Sequence, residues 1–313
     1  MVLVPLLLFI VSCIILVVSG GYLVKLLIKI AYHLRLSEFV VAFIIMAFST
    51  SIPELFVGIN SAIEGNPALS LGNVIGSNIL DLTLVIGIAA LLGRGIKVKN
   101  PFIRKDSLFM LLIAILPIGL MFLGRSLSRI DGIILVSVFL IYMWHLSRER
   151  KELKKQFKDH NHKNHLLITF ILFALCLAVL FISSHFVVTY ATKLALELLL
   201  PSILIGLFFV AIGTSLPELI FEIRSVLAKR GDFAVGDAMG SVVCNSGLVL
   251  GVTAIIYPIT SNFLLFITSA IFMIFISFLF LLFIRGKKGL SITKSLILII
   301  LYIVFIMAEY LLK

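Results

Sequence analysis

The chain reads as a series of apolar runs, each about as long as a bilayer is thick, parted by short polar breaks. A helix needs about 20 residues to cross the hydrocarbon. Runs near 3–27, 38–63, 69–92, 106–123, 129–146, 166–189, 201–227, 233–257, 262–284 and 291–312 meet that length. The breaks carry turn and charge signals, among them Glu64-Gly65-Asn66-Pro67, Asn100-Pro101, Lys229-Arg230-Gly231-Asp232 and Gly286-Lys287-Lys288-Gly289. The pattern predicts an all-α integral membrane protein of ten transmembrane helices. Two runs are interrupted by polar groups where a membrane helix should be uniformly apolar: the second by Thr50-Ser51-Ile52-Pro53-Glu54, the seventh by Thr214-Ser215-Leu216-Pro217-Glu218.

A second pair of segments follows these. Gly72-Asn73-Val74-Ile75-Gly76-Ser77-Asn78-Ile79-Leu80-Asp81 is matched by Gly236-Asp237-Ala238-Met239-Gly240-Ser241-Val242-Val243-Cys244-Asn245. Both pairs lie 164 residues apart, and the step from Glu54 to Asp81 equals that from Glu218 to Asn245, 27 residues. The chain is therefore a duplication. Its copies lie five spans apart, an odd number, so they cross the membrane in opposite directions. This gives two inverted five-helix repeats, 1–146 and 166–313, joined by a short loop at 147–165. Inverted repeats with interrupted helices are characteristic of secondary transporters, whose sites lie near mid-membrane at the repeat interface.

Composition agrees with the pattern. Of 313 residues, 61% are hydrophobic and 13% charged, against about 25% charged in soluble domains, and the mean hydropathy is +1.23. A net charge of +11 would suggest nucleic acid in a soluble protein, but placement argues otherwise. With both termini outside, 22 of the 26 basic residues collect at inner ends, including the central cluster from Arg148 to Lys163. That is the positive-inside pattern. It places the central loop in the cytoplasm and implies membrane lipid, not nucleic acid, as the basic groups' partner. The oligomeric state is not readable. The first run lacks a basic leader and reads as a span, not a removable signal. Cys13, Cys176 and Cys244 lie singly in apolar runs and read as core residues.

Pro53 and Pro217 remove a helical donor and crowd the carbonyl four residues back, so each helix breaks there. Carbonyls around Ala47–Thr50 and Ala211–Thr214 are then freed and must face partners or a cavity. Thr50, Ser51, Glu54, Thr214, Ser215 and Glu218 supply oxygens close by. Ser77 and Asp81, and likewise Ser241 and Asn245, supply more from the following spans. Oxygen donors without sulfur or imidazole suit a hard cation such as Ca2+ or Na+. The plainer readings are a capping box at Ser51/Glu54 and Ser215/Glu218 and close helix packing at Gly72, Gly76, Gly236 and Gly240. Asn73 and Asn78 suit either interhelical hydrogen bonding or the lining of a path. Asp237 is either an access-path carboxylate or a solvated helix start, and Glu222 is expected to pair with Arg224. His160, His162 and His165 read as solvated loop. His185 reads as a hydrogen-bonded core histidine, Glu309 as reaching water, Tyr142 and Trp144 as interfacial anchors, and the Phe263–Phe283 run as lipid-facing.

Taken together, the two copies resemble the α-repeats of the cation/calcium exchanger superfamily, sodium/calcium exchanger branch, over essentially the whole chain. The resemblance implies ion ligands at Thr50, Ser51, Glu54, Ser77 and Asp81, and at Thr214, Ser215, Glu218, Ser241 and Asn245, with the carbonyls of Ala47 and Ala211 added. It implies no cofactor and no enzymatic activity. Ca2+ and Na+ are the implied transported ions, with H+ or K+ as further possible partners. It also implies antiport by alternating access, with spans 1 and 6 sliding across the bundle. Asp81 and Asn245 invert the Asn-then-Asp order usual in that branch, and the short central loop leaves no room for the regulatory calcium-binding domains of animal relatives. Two rivals remain: proton/calcium exchange on the same scaffold, and an intramembrane aspartyl protease using Asp81 and Asp237.

Overall fold

The computed structural model describes residues 3–33, 48, 50–98, 101–149, 166–260, 263–286 and 289–311. Its helices are α1 (Leu3–His33), α2 (Ile52–Ile63), α3 (Pro67–Leu92), α4 (Pro101–Gly124), α5 (Arg129–Glu149), α6 (Leu166–Glu197), α7 in two halves (Ser202–Thr214 and Leu216–Leu227), α8 (Gly231–Ile256), α9 (Phe263–Arg285) and α10 (Ile292–Leu311). Among the described residues, seven helices are long and apolar enough to cross a membrane, and α7 makes an eighth if its halves count as one span. Leu3–Ser19 and α2 are shorter apolar helices, and the first part of the expected second span lies outside the described residues. Among the described residues many large apolar side chains point outward, Leu7, Ile14, Ile182, Phe275 and Ile303 among them. An apolar belt of this extent marks contact with lipid.

Burial separates the helices. α3 and α8 are the innermost spans, 83% and 72% buried, against 28–29% for α5, α6 and α10. One hydrophobic core joins α3, α4, α5, α8, α9 and α10 with part of α7. A second joins α1 and α6 to α2, to the start of α3 and to the first half of α7. α1 and α6 lie along each other, and beyond that pairing they pack mainly on α2 and α7.

Small residues let the inner helices cross closely, as their spacing predicts. A Cβ added at Gly72 would stand 1.9 Å from the Ile203 carbonyl oxygen, one at Gly76 2.1 Å from that of Leu207, and one at Gly206 2.2 Å from that of Leu69. Main-chain atoms of α3 and α7 thus touch directly, which only glycine permits.

The duplication is written in the backbone as well. α2 ends in a Schellman-type turn with Gly65 N donating to Ala62 O (3.1 Å) and Asn66 N to Ser61 O (2.8 Å). α7 ends the same way, Lys229 N to Val226 O (2.9 Å) and Arg230 N to Ser225 O (2.9 Å). Gly65 adopts φ +72° and Lys229 φ +59°, so the turn persists where its glycine does not. Two isolated antiparallel bridges, Ile96 with Leu290 and Leu127 with Ile259, also map onto each other, because Ile96 to Ile259 and Leu127 to Leu290 are the same step along the chain.

Several side chains sit where the pattern did not put them. Phe266 and Phe280 of α9 are fully buried while Phe275 and Phe278 face outward, so that helix is half core. Tyr142 is buried instead of serving as an anchor, whereas Trp144 is exposed, as an anchor would be. Glu309 is buried instead of solvated, accepting hydrogen bonds from Thr268 Oγ1 (3.0 Å) and Ser269 Oγ (2.6 Å). His185 is half-exposed, not core, with Nδ1 2.9 Å from Glu64 Oε1. His160, His162 and His165 lie outside the described residues. The tight crossing yields a prediction. Gly76→Val would force main chains apart, a cost above the roughly 1–3 kcal/mol of ordinary overpacking. It should abolish the monodisperse peak in detergent chromatography or lower the melting temperature sharply. Gly21→Ala, with open space around it, should do neither.

Candidate ion-binding site

The two Pro-Glu motifs adopt one backbone geometry. Ser51 and Ser215 precede the helix starts with identical torsions, φ −84° and ψ 5°, and Pro53 and Pro217 occupy the first turns. Proline is tolerated there because its absent N–H has no partner to lose. The halves of α7 meet at 42°. Glu54 and Glu218 fall in the first turns, where unpaired N–H groups and the helix dipole favour negative charge. The capping-box reading fails. Neither serine hydroxyl caps its helix, and neither Ser51 Oγ nor Ser215 Oγ has a hydrogen-bond partner. With ψ near zero, the backbone is not in the extended conformation that turns a cap hydroxyl onto the N–H groups ahead.

The proline effect on carbonyls also needs a correction. The carbonyl of Ala211 accepts from Ser215 N (3.0 Å) and from Thr214 Oγ1 (3.3 Å), so it is not an idle group. The carbonyl four residues before Pro217 belongs to Gly213. Ala47 lies outside the described residues.

α3 and α8 present the second pair of segments, and each widens into a π-helical turn at this depth, over Asp81–Val85 and Cys244–Val249. Such turns shift the facing of side chains and recur at functional sites. Thr83 Oγ1 donates to the Ile79 carbonyl inside the first.

The four elements bring the expected side chains together. Thr50, Ser51, Glu54, Ser77, Asp81, Thr214, Ser215, Glu218, Ser241 and Asn245 are each at most 2% exposed. Contacts run between the repeats. Thr50 Oγ1 lies 3.4 Å from Ser241 Oγ, and Ser77 Oγ lies 3.4 Å from Thr214 Oγ1. These are long for hydroxyl hydrogen bonds, which centre near 2.7–2.8 Å. Thr214 Oγ1 also donates to Asn73 Oδ1 (3.2 Å). Asn245 Nδ2 donates to Asn78 Oδ1 (3.2 Å), and Asn78 Nδ2 to Ser246 Oγ (2.9 Å).

Acids dominate the electrostatics. Glu54 and Asp81 repel one another, and both act on Glu218, as does Asp237. Thr214 and Ser77 face Glu54, and Ser215 faces Asp81, yet both oxygens of Glu54, both of Asp81, Oε2 of Glu218 and Oδ1 of Asn245 have no hydrogen-bond partner. Buried polar groups are otherwise almost always paired. Among the described residues no Lys, Arg or His is buried to balance these charges. Nor do three of His, Cys, Asp or Glu there stand close enough to hold a metal unaided. Hydroxyl, amide and carbonyl oxygens must complete any cation's shell, as hard-cation chemistry allows.

Two acids were under-read in the sequence. Asp237 is buried and accepts from Thr50 Oγ1 (3.4 Å), with Oδ2 unpartnered, so it is no solvated helix start. Its signal was its place in the duplicated segment, opposite Asn73. Glu222 is fully buried with neither oxygen hydrogen-bonded; the charges of Asp237 and Asp81 act on it, and Arg224 is exposed. Its signal was its place one helical turn beyond Glu218.

An acid-rich, oxygen-lined centre beside the broken α7 of an apolar helical bundle is the chemistry a cation transporter requires. Known proteins agree. The chain matches the family described as sodium/calcium exchanger protein over residues 4–148 and 168–311, and it belongs to that family. It is 29% identical to the sodium/calcium exchanger MaX1 of Methanosarcina acetivorans across 99% of each chain. It is also 29% identical to the inner membrane protein YrbG of Escherichia coli across 70% of each. Its structure resembles the sodium-calcium exchanger NCX_Mj soaked with Na+ and Sr2+, at TM-score 0.68 and 26% identity, covering 98% of each chain. The protein is thus a multi-pass membrane protein of a cation/Ca2+ exchanger family, which displaces the protease alternative.

Because Ser51 and Ser215 do not cap, Ser51→Ala and Ser215→Ala should leave the cation-free melting temperature nearly unchanged. Loss of a true N-cap would cost about 1 kcal/mol. The stabilisation produced by added Ca2+ should shrink in both variants, as thermal scans with and without the ion would record.

Proposed function

We propose that the protein exchanges Na+ for Ca2+ by alternating access. The carrying observation is the cluster of buried, unpartnered oxygens contributed by α2, α3, α7 and α8, with no buried cationic side chain among the described residues to balance them. Thr50, Ser51, Glu54, Ser77 and Asp81, with Thr214, Ser215, Glu218, Ser241 and Asn245, hold the ions, assisted by the carbonyls of Ala47 and Ala211. In a poorly solvated site Glu54, Asp81 and Glu218 are costly to leave uncompensated. The protein therefore changes its facing mainly when loaded. Ca2+ and several Na+ compete for overlapping oxygens, so one replaces the other and the ion gradients suffice as the energy source.

Access changes as α1 and α6 slide over the rest. The separate apolar cluster they form with α2 and α7 supports this: one helix pair has a contact area of its own and few ties to the larger core. On this reading the two five-helix halves, 1–146 and 166–313, supply pseudo-equivalent half-sites, and the distribution of basic residues supports a cytoplasmic 147–165 loop.

Purified protein in Na+-loaded proteoliposomes should take up 45Ca2+ only while the outward Na+ gradient lasts, compared with K+-loaded vesicles. Glu54→Gln and Glu218→Gln should each lower the rate more than about tenfold, since a charged ligand group is worth about 1.5–3 kcal/mol. Wild-type rates in both variants would remove the site assignment. Uptake driven by a proton gradient alone would keep the site and change the counter-ion to H+.

A further inference from the structure

Beyond the ten side chains of the central site, two buried acids, Glu222 and Asp237, keep oxygens without a hydrogen-bond partner. Glu222 lies on the second half of α7, one turn past Glu218, where α7 packs on Ile86–Leu92 of α3 and on the start of α8. It is fully buried, and both its oxygens lack a hydrogen-bond partner. The charge that acts on it most strongly is Asp237 of α8. Asp237 commits Oδ1 to the Thr50 hydroxyl and leaves Oδ2 unpartnered. Two acids on adjacent helices thus offer three free oxygens and, once ionised, two negative charges, with no buried basic residue among the described residues.

The other repeat shows that this is not demanded by the fold. The residue matching Glu222 at the 164-residue offset is Gly58, and a Cβ there would stand 2.7 Å from Thr253 Oγ1 and 3.1 Å from Ser70 Oγ. Ser70 and Thr253 hydroxyls bond each other at 3.0 Å, so that side of the centre is closed by a neutral, satisfied contact. The Glu222 side carries an uncompensated acid pair instead, on the flank that ends in Arg224, Lys229 and Arg230. Removing two carboxylates from water is costly unless a counter-charge accompanies them. Oxygen ligands with a charge of two select a hard divalent cation.

We propose that Glu222 and Asp237 form a second cation subsite, adjoining the central site, that takes a hard divalent ion such as Ca2+. Its shell is completed by water or main-chain oxygens. The subsite rests on the reading of the central cluster as an ion site and adds a loading position on one flank only. The two half-sites are therefore unequal despite the duplicated backbone.

The test is equilibrium binding of 45Ca2+ to purified full-length protein in Na+-free buffer, counted per chain. Two ions are expected in the wild type and one in both Glu222→Gln and Asp237→Asn, with Na+-driven uptake still measurable in Glu222→Gln. Two separate variants are used so that poor folding of one leaves the other to decide. A wild-type count of one, or an undiminished count of two in the variants, overturns the subsite. A wild type that exchanges ions while binding one Ca2+ defeats this inference alone, whereas a wild type that neither binds nor exchanges defeats the reading of the central site.

Discussion

The structure depends on holding carboxylates in a place that water reaches poorly, with no buried cationic side chain among the described residues. A buried ionised acid must be paired, hydrated or bound to a cation, and here the protein supplies mostly oxygen dipoles. The proline-started helices bring N–H groups and dipole ends to bear on Glu54 and Glu218. The facing hydroxyls of Thr50, Ser77, Thr214 and Ser241 touch only at long range, so they are not locked to one another. A mobile cation is the remaining source of compensation. A membrane protein that would otherwise avoid such groups thereby becomes an ion carrier.

The same backbone serves both halves, and the differences lie in the side chains. Lys229 takes the left-handed turn that Gly65 takes in the other copy, so the shape is retained while the residue changes. At the centre the exchanges alter charge: Asp81 stands opposite Asn245, Asn73 opposite Asp237 and Gly58 opposite Glu222. The first repeat contributes Glu54 and Asp81, the second Glu218, Glu222 and Asp237. A pseudo-symmetric frame thus encloses an asymmetric field.

Packing divides the molecule into parts suited to different work. Main-chain contact between α3 and α7 at Gly72, Gly76 and Gly206 makes a stiff centre, because neither helix can shift without a steric clash. α1 and α6 meet the remainder through a smaller apolar cluster, and α6 adds polar ties to α2 and the turn after it, Asn60 Nδ2 to Ser184 Oγ (2.7 Å) and Asn66 Nδ2 to Thr192 Oγ1 (3.1 Å). The buried, unpartnered oxygens of the candidate site lie on α2, α3, α7 and α8, where these two clusters adjoin.

Periodicity and repetition are local signals, so the chain by itself determined the membrane class, the duplication, the inverted sense of its copies, the proline breaks and the oxygen-rich character of the centre. Each follows from the free energy of moving residues out of water or from backbone chemistry at a single position. Tertiary structure decided which polar groups find partners. Ser51 and Ser215 look like caps in sequence and do not cap, Glu309 looks solvated and is held by two hydroxyls, and Glu222 looks paired with Arg224 and is buried with neither oxygen hydrogen-bonded. A hydrogen bond or an ion pair depends on which helices are adjacent and how each is rotated. In a membrane helix whose residues are apolar on every side, sequence leaves that rotation open, and the packing of neighbouring helices sets it.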